Sequence, residues 1–252
     1  MRLFVLATTL LLCVSMPNVT AAKHVSIAVG KNKPPYVIQD GSSGFELELV
    51  KQFMHNEGHT VEFVFIPFGR TSYVLNQGEA DIGLTLNHYH DIDHSWLSDP
   101  YIAYQNFAIS LVKNDVKVTS MADLQFHSVV AFQSATTVLG PEYKAMVIGR
   151  ANYLELPDQE NQVMLLLRGS VDIAVMDRNI FHFFKQISPG YLRDEPVKYH
   201  RLFPKSIYSA GIADDELRAG FNRQLKRALE DGTYQALIEQ FGLIDILHSE
   251  VE

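Results

Sequence analysis

The stretch GEADIGLTLNHYHDIDHSWLSDPY, residues 78–101, passes from a helix stop through an apolar strand into a polar loop. Gly78 ends the helix and residues 82–86 are the strand. His88, His90 and His94 follow among Asp91 and Asp93, and Ser98-Asp99-Pro100-Tyr101 closes the loop. In an α/β domain this pattern sets side chains at the carboxyl edge of a sheet, where ligands bind. Part of it recurs. LNQGEADIGL (75–84) and LLRGSVDIAV (166–175) share helix, Gly, two residues, Asp-Ile and apolar strand. With strands and helices alternating through both halves, the echo predicts two α/β lobes facing each other.

Upstream, residues 24–30 predict a buried first strand. Pro34-Pro35-Tyr36 predicts a rigid, extended turn ending on an aromatic. Tyr36 there is either a packed loop residue or the wall of a cleft. Ser43 and Glu46 have capping-box spacing, so a helix is expected over 46–56, with Phe45, Leu49, Val50, Phe53 and Met54 on its apolar face. After a strand at 61–66, Pro67-Phe68-Gly69-Arg70 leads into a short helix. Arg70 stands at the start of that helix, and its planar fork suits a carboxylate; a structural ion pair is the plainer alternative.

Downstream, strands are expected at 107–112, 129–132, 153–156, 173–176 and 199–203, with a return across the molecule at 209–213. Helices are expected at 160–168, 179–187, 215–229 and 233–241. Asp177 follows an apolar strand, which directs its carboxylate to the cleft.

The chain has 252 residues, 47% hydrophobic and 20% charged, enough for a substantial core. Residues 1–22 form a basic start, an apolar run too short to span a bilayer, and small residues before a cleavage point; this is a secretory signal peptide. Cys13, the single cysteine, lies within it. The mature chain therefore has no disulfide, thiolate metal site or cysteine nucleophile. Removing Arg2 leaves 20 basic against 29 acidic residues. That balance, without basic clusters, argues against nucleic acid and membrane-surface partners, and nothing else in the mature chain is expected to insert in a membrane.

Taken together, Pro34-Pro35-Tyr36, Gly44-Phe45-Glu46-Leu47-Glu48-Leu49, Gly78-Glu79-Ala80-Asp81, Leu97-Ser98-Asp99-Pro100-Tyr101, residues 133–137, residues 169–172, Asp177 and Asp231-Gly232-Thr233-Tyr234 resemble the extracellular solute-binding proteins of family 3. These are the periplasmic receptors of polar amino acid ABC importers. The resemblance covers residues 25–243. It implies a type II periplasmic binding protein, each lobe a β-sheet flanked by helices. Lobe 1 is expected at 23–111 plus 207–252, and lobe 2 at 112–206. A small polar, amino-acid-like ligand would be captured between them by hinge closure and passed to a membrane permease, by a monomer without cofactor or catalysis. Tyr36 and Phe68 would pack on the ligand. Thr85, Asn87, Thr136 and Thr137 would bind its anionic end, and Asp177 its amino group.

The chain departs from the family in one respect. The arginine that clasps the ligand carboxylate shortly before Ser-Asp-Pro-Tyr is absent, and Asp91 stands near its place. Arg70 takes over that contact, or the ligand lacks a carboxylate or is cationic, or transport has been lost. Two rival functions follow from other features. His88, His90 and His94 beside Asp91 and Asp93 are candidate ligands for Zn²⁺ or Ni²⁺, against the plainer reading of a solvated loop; no metal is expected. Relatives on this fold also include sensor domains and dehydratases of cyclic acids. No G-x-S-x-G, H-E-x-x-H or phosphate loop supports an enzyme.

Overall fold

The computed structural model describes residues 22–67 and 69–248. The expected leader, apart from Ala22, and Phe68 lie outside the described residues. The strands are β1 (His24–Gly30), β2 (Thr60–Ile66), β3 (Ile82–Leu86), β4 (Ile102–Leu111), β5 (Val129–Phe132), β6 (Tyr153–Leu156), β7 (Ile173–Asp177), β8 (Val197–His200) and β9 (Lys205–Ile212). The helices are α1 (Phe45–Asn56), α2 (Thr71–Asn76), α3 (Ala135–Val138), α4 (Pro141–Val147), α5 (Gln159–Leu167), α6 (Arg178–Ile187), α7 (Gly190–Arg193), α8 (Asp215–Asp231) and α9 (Thr233–Gln240). Among the described residues no helix is long and apolar enough to cross a membrane.

The strands form two mixed sheets of matching plan. The first runs β2-β1-β3-β9, with β1 parallel to β2 and β3, and β9 antiparallel to β3. The second runs β6-β5-β7-β4, with β8 on the far side of β4; β5 is parallel to β6 and β7, and β4 is antiparallel to β7 and β8. Two strands belong to both. The first half of β4 pairs with the first half of β9, from Ile102↔Tyr208 to Gln105↔Lys205. Their second halves then diverge, β4 to β7 and β8, β9 to β3. Both begin earlier than the apolar pattern predicts, because their leading residues, including Tyr104, Gln105, Lys205 and Ser206, are polar side chains on backbone that the two strands pair with each other.

The G-x-x-D echo has a structural cause. Asp81 Oδ2 accepts from the Ser26 amide (2.9 Å) and hydroxyl (3.0 Å), fastening the start of β3 to β1. Asp172 Oδ2 accepts from the Ser128 amide and hydroxyl, both at 2.8 Å, fastening β7 to β5 in the same way. Each carboxylate satisfies donors that the short ladder leaves open.

Two local expectations are corrected. The turn expected at Pro34-Pro35-Tyr36 is present but tight and not extended, closed by Lys33 and Val37. The capping box is also absent: Gly44 is the N-cap of α1, with no side-chain cap. The first helical amides are satisfied instead by that turn, Phe45 N–H by Pro35 O (3.1 Å) and Glu46 N–H by Tyr36 O (3.0 Å). This frees the Glu46 carboxylate for another role. It also brings the Gly44 backbone so close that an added Cβ would lie 2.5 Å from Tyr36 O, at φ 114°.

Gly44→Ala is therefore expected to lower stability by more than the about 1–3 kcal/mol that an unfavourable backbone conformation costs by itself. Gly58, also at positive φ but with nothing within 4 Å, supplies the control. Urea denaturation of the two alanine variants should show the larger loss at Gly44; equal losses would mean the close approach is relieved at no cost.

Candidate functional site

Where β4 and β9 pass between the sheets, side chains from both lobes converge. Glu46, in the first turn of α1, has no exposed surface. It lies on the helix face shared by Leu49, Val50 and Phe53, so it is carried inward with them. Its Oε1 accepts from Lys33 Nζ (2.8 Å) and Tyr104 OH (2.5 Å), and its Oε2 from Tyr101 OH (2.5 Å) and Thr85 Oγ1 (2.9 Å). Burial alone would push this carboxyl up. The Lys33 charge and the hydroxyl donors outweigh burial and hold it below the usual carboxylate range.

Lys33 Nζ completes its own set with Thr85 Oγ1 (2.8 Å) and Tyr104 OH (2.5 Å), and lies 4.9 Å from the centre of the Tyr104 ring. Thr85 reaches this position through backbone strain. It sits at φ 60°, where the β3–β9 register shifts, and its amide donates to Tyr101 OH (3.2 Å). A β-branched residue in the left-handed region is an outlier of the kind that clusters at functional sites.

The second lobe contributes Asp177, 4% exposed at the junction of β7 and α6. It caps α6 through the amides of Asn179 (2.9 Å) and Ile180 (3.0 Å) and accepts the Gln105 amide of β4 (2.9 Å). Its remaining partner crosses between lobes: Tyr36 OH donates to Oδ1 at 3.1 Å. Asn179 Nδ2 donates to the same hydroxyl (2.9 Å) and to Ile244 O (3.0 Å), and its Oδ1 accepts from Ile244 N–H (2.9 Å). Burial pushes the Asp177 carboxyl up to about 6 in spite of these donors. The rings of Tyr36, Tyr104 and Tyr208 follow one another across the junction, with centroids 4.4 and 5.4 Å apart.

The cluster thus unites three residues singled out from the sequence, Tyr36, Thr85 and Asp177, with others that were not: Lys33, Glu46, Tyr101, Tyr104, Asn179 and Tyr208. One signal could have found Glu46, since an acid on the apolar face of an amphipathic helix must have an internal partner.

The other expected residues lie apart from this network. Arg70 is exposed at the start of α2, its guanidinium 4.4 Å over the Tyr73 ring. Asn87 is half-buried and serves its own turn, accepting from Tyr89 N–H (3.1 Å) and contacting His90 Nδ1 (2.8 Å). Asp91 is exposed, and its carbonyl accepts from Asn76. Thr136 and Thr137 open α3, where the Thr136 amide and that of Ser134 donate to the Glu155 carboxylate at 2.9 and 2.7 Å.

The histidine loop is turned, not extended. His88 stacks edge-on with His94 at 5.7 Å, while His90 faces Asn87 and Tyr208. Among the described residues no three His, Cys, Asp or Glu side chains are grouped to hold a metal ion. A surface hollow of about 160 Å³, lined by Lys23, Glu57, His59 and Asp214, shares no residue with the junction cluster.

Solved structures share this architecture. An ancestral arginine-binding protein bound to arginine matches with a TM-score of 0.67 at 21% identity, over 86% of this chain and 97% of that one. The L-cystine solute receptor of Neisseria gonorrhoeae, unliganded and open, matches with a TM-score of 0.63 at 20% identity, over 92% and 98%. An ABC uptake transporter substrate-binding protein from Streptococcus pneumoniae with bound histidine matches with a TM-score of 0.68 at 15% identity, over 90% and 95%. At such identities the likeness is one of fold: two-lobed binding proteins with mixed sheets flanked by helices. No curated protein matches the chain by sequence. The profile of bacterial extracellular solute-binding proteins, family 3, does match, and over residues 25–244. With well over half of the chain inside that match, the protein belongs to family 3 of the bacterial extracellular solute-binding proteins.

Proposed function

We propose that the protein is exported to the periplasm, captures a small polar, amino-acid-like solute by hinge closure, and delivers it as a monomer to the membrane permease of an ABC importer. The observation that carries this reading is the junction cluster, in which the Tyr36–Asp177 hydrogen bond ties residues of one lobe to the other. The lobes bend about the paired first halves of β4 and β9, so the boundary expected at 111/112 moves back to about residue 105, because Asn106 to Leu111 pair with β7 and β8 of the second lobe. Solute enters between them when the junction opens. It packs on Tyr36 and Phe68, with Thr85, Asn87, Asp91, Thr136 and Thr137 bordering it. Opening parts Tyr36 from Asp177, and the carboxylate then faces the positive group of the solute. Arg70, a cation stacked on Tyr73 at the carboxyl edge of the first sheet, supplies the anion contact. Binding and release, not turnover, is the activity.

A thermal-shift screen of amino acids, polyamines and small organic acids identifies the solute, since a ligand selective for the folded state raises the melting temperature. Small-angle scattering with that solute is then expected to show a smaller radius of gyration. An unchanged radius at saturation would rule out hinge closure.

Arg70→Ala is expected to weaken binding of a carboxylate solute at least tenfold, about 1.4 kcal/mol, with partial recovery in Arg70→Lys. Equal dissociation constants by calorimetry would assign Arg70 to the surface alone.

Asp177 makes two measurable contributions. Asp177→Asn should lose at least tenfold in affinity for a cationic solute, again about 1.4 kcal/mol. It should also change the pH dependence of stability. With its carboxyl raised from 3.8 to about 6 in the folded state, the native protein holds this proton more tightly than the unfolded chain does. The resulting stability is complete below pH 4 and is lost as pH rises through about 6, by about 3 kcal/mol at 1.4 kcal/mol per unit. Urea titrations at pH 4 and pH 7 should show this fall in the parent protein and a flatter profile in Asp177→Asn. Parallel profiles would show that Asp177 is ionised throughout.

A further inference from the structure

The site around the Lys33 ammonium is more completely built than one ion pair requires. Its acceptors are the fully buried Glu46 carboxylate, Thr85 Oγ1 and Tyr104 OH, at 2.8, 2.8 and 2.5 Å, and the Tyr104 ring lies against it at 4.9 Å. Three acceptors match the three N–H bonds of a primary ammonium. The acceptors come from α1, β3 and β4, and two of them are fixed independently of Lys33: Glu46 by Tyr101, and Thr85 by its own bond to Glu46 and by the strained backbone that presents it. Lys33 itself enters from the turn between β1 and α1, held there by main-chain bonds to Val37. The cage and its occupant thus belong to different parts of the chain.

We propose that Glu46, Thr85 and Tyr104 form a binding site for a primary ammonium group, and that Lys33 is its resident occupant. A solute carrying R–NH₃⁺ competes with Lys33 for the cage. When it enters, the Lys33 side chain leaves, and the buried Glu46 charge stays compensated throughout. Secondary and quaternary amines lack the three donors, and anions meet a buried carboxylate. Both are rejected. The inference rests on the junction as the solute site and adds a second cationic end, a primary ammonium, to a solute whose other positive group meets Asp177. Its test reads the cage directly and needs no knowledge of the natural solute.

Lys33→Ala removes three methylenes and the ammonium, which together are n-propylamine. The variant is expected to melt at a lower temperature than the parent, and n-propylammonium should restore most of the loss in a saturable way. Propanol, of the same shape without charge, and tetramethylammonium, charged without donors, should not. In Lys33→Ala/Glu46→Gln the rescue should vanish.

A second reading uses the unaltered chain. The Lys33 ammonium, held by three acceptors, should give a slowly exchanging NMR signal that n-propylammonium displaces and tetramethylammonium leaves in place. A folded Lys33→Ala variant that n-propylammonium does not stabilise would overturn the proposal. Should that variant not fold, an undisplaced Lys33 signal in large excess of n-propylammonium would overturn it equally. Rescue without any natural solute in the thermal-shift screen would leave the cage standing and defeat the transport reading. The reverse result would defeat the cage alone.

Discussion

A carboxylate with no exposed surface has to be compensated inside the protein, and the compensation of Glu46 organises the junction of the two lobes. Its partners are drawn from the turn after β1, the end of β3 and both ends of the segment from Tyr101 to Tyr104. Each partner fixes the segment that carries it. Deleting one member of such a buried pair typically costs about 3–5 kcal/mol, because the remaining charge is stranded, whereas apolar replacement of both members is often neutral. The network therefore contributes less to net stability than to specificity: it admits one arrangement of α1, β3 and β4. The strained Thr85 backbone is intelligible on the same terms. Conformational strain of about 1–3 kcal/mol persists only where surrounding contacts over-determine the residue, and here the hydroxyl joins both Glu46 and Lys33 while the amide joins Tyr101.

From this fixed half, contact with the second lobe passes through Tyr36. Its backbone carbonyl helps start α1, and its hydroxyl meets Asp177 and Asn179. Asn179 in turn binds the main chain at Ile244, so the segment after α9 is tied to the start of α6. Two kinds of connection thus bridge the lobes. The shared β4–β9 ladder is continuous backbone. The Tyr36–Asp177–Asn179 contact is a small set of side-chain hydrogen bonds.

Much of the architecture was legible in the sequence because its signals are local. Apolar runs, glycine stops and the repeated G-x-x-D corner report strand and helix order within a few residues, and that order defines the two matching sheets. What escaped were features decided at long range. Ser43 and Glu46 satisfy the capping pattern, yet the demand of Lys33 and two tyrosines for a buried acid, together with carbonyls from Pro35 and Tyr36, overrode it. The leading halves of β4 and β9 look too polar for central strands, because their backbone is satisfied by each other and not by an apolar neighbour. In the histidine loop, Asn87 sets a local turn by accepting from its own neighbours, which no residue pattern in that segment announces. Of the candidate site, the positions of Tyr36, Thr85 and Asp177 followed from motif order. Lys33 did not, since nothing local distinguishes it from Lys31 two residues earlier.

The Lys33 ammonium is fully partnered by Glu46, Thr85 and Tyr104. At the start of α3, the amides of Ser134 and Thr136 are partnered by Glu155, with Tyr153 OH a further donor to that carboxylate at 2.9 Å. Burial works against the Glu155 charge, yet these donors hold its carboxyl below the usual range, so it remains an anion on those amides. The chain thus supplies its own cation in one lobe and its own anion in the other, and neither polar end is left unsatisfied without a solute. A solute that enters exchanges partners and does not fill vacancies. Its affinity is then the difference between its own contacts and the internal ones it displaces, and a rigid, well-matched solute is favoured over one that merely carries the right charges. Equally, its power to shift the lobes is limited to the difference between its interactions in the open and closed arrangements. Where a solute displaces an internal partner such as Lys33, its specificity depends on that partner as much as on the residues that would touch the solute.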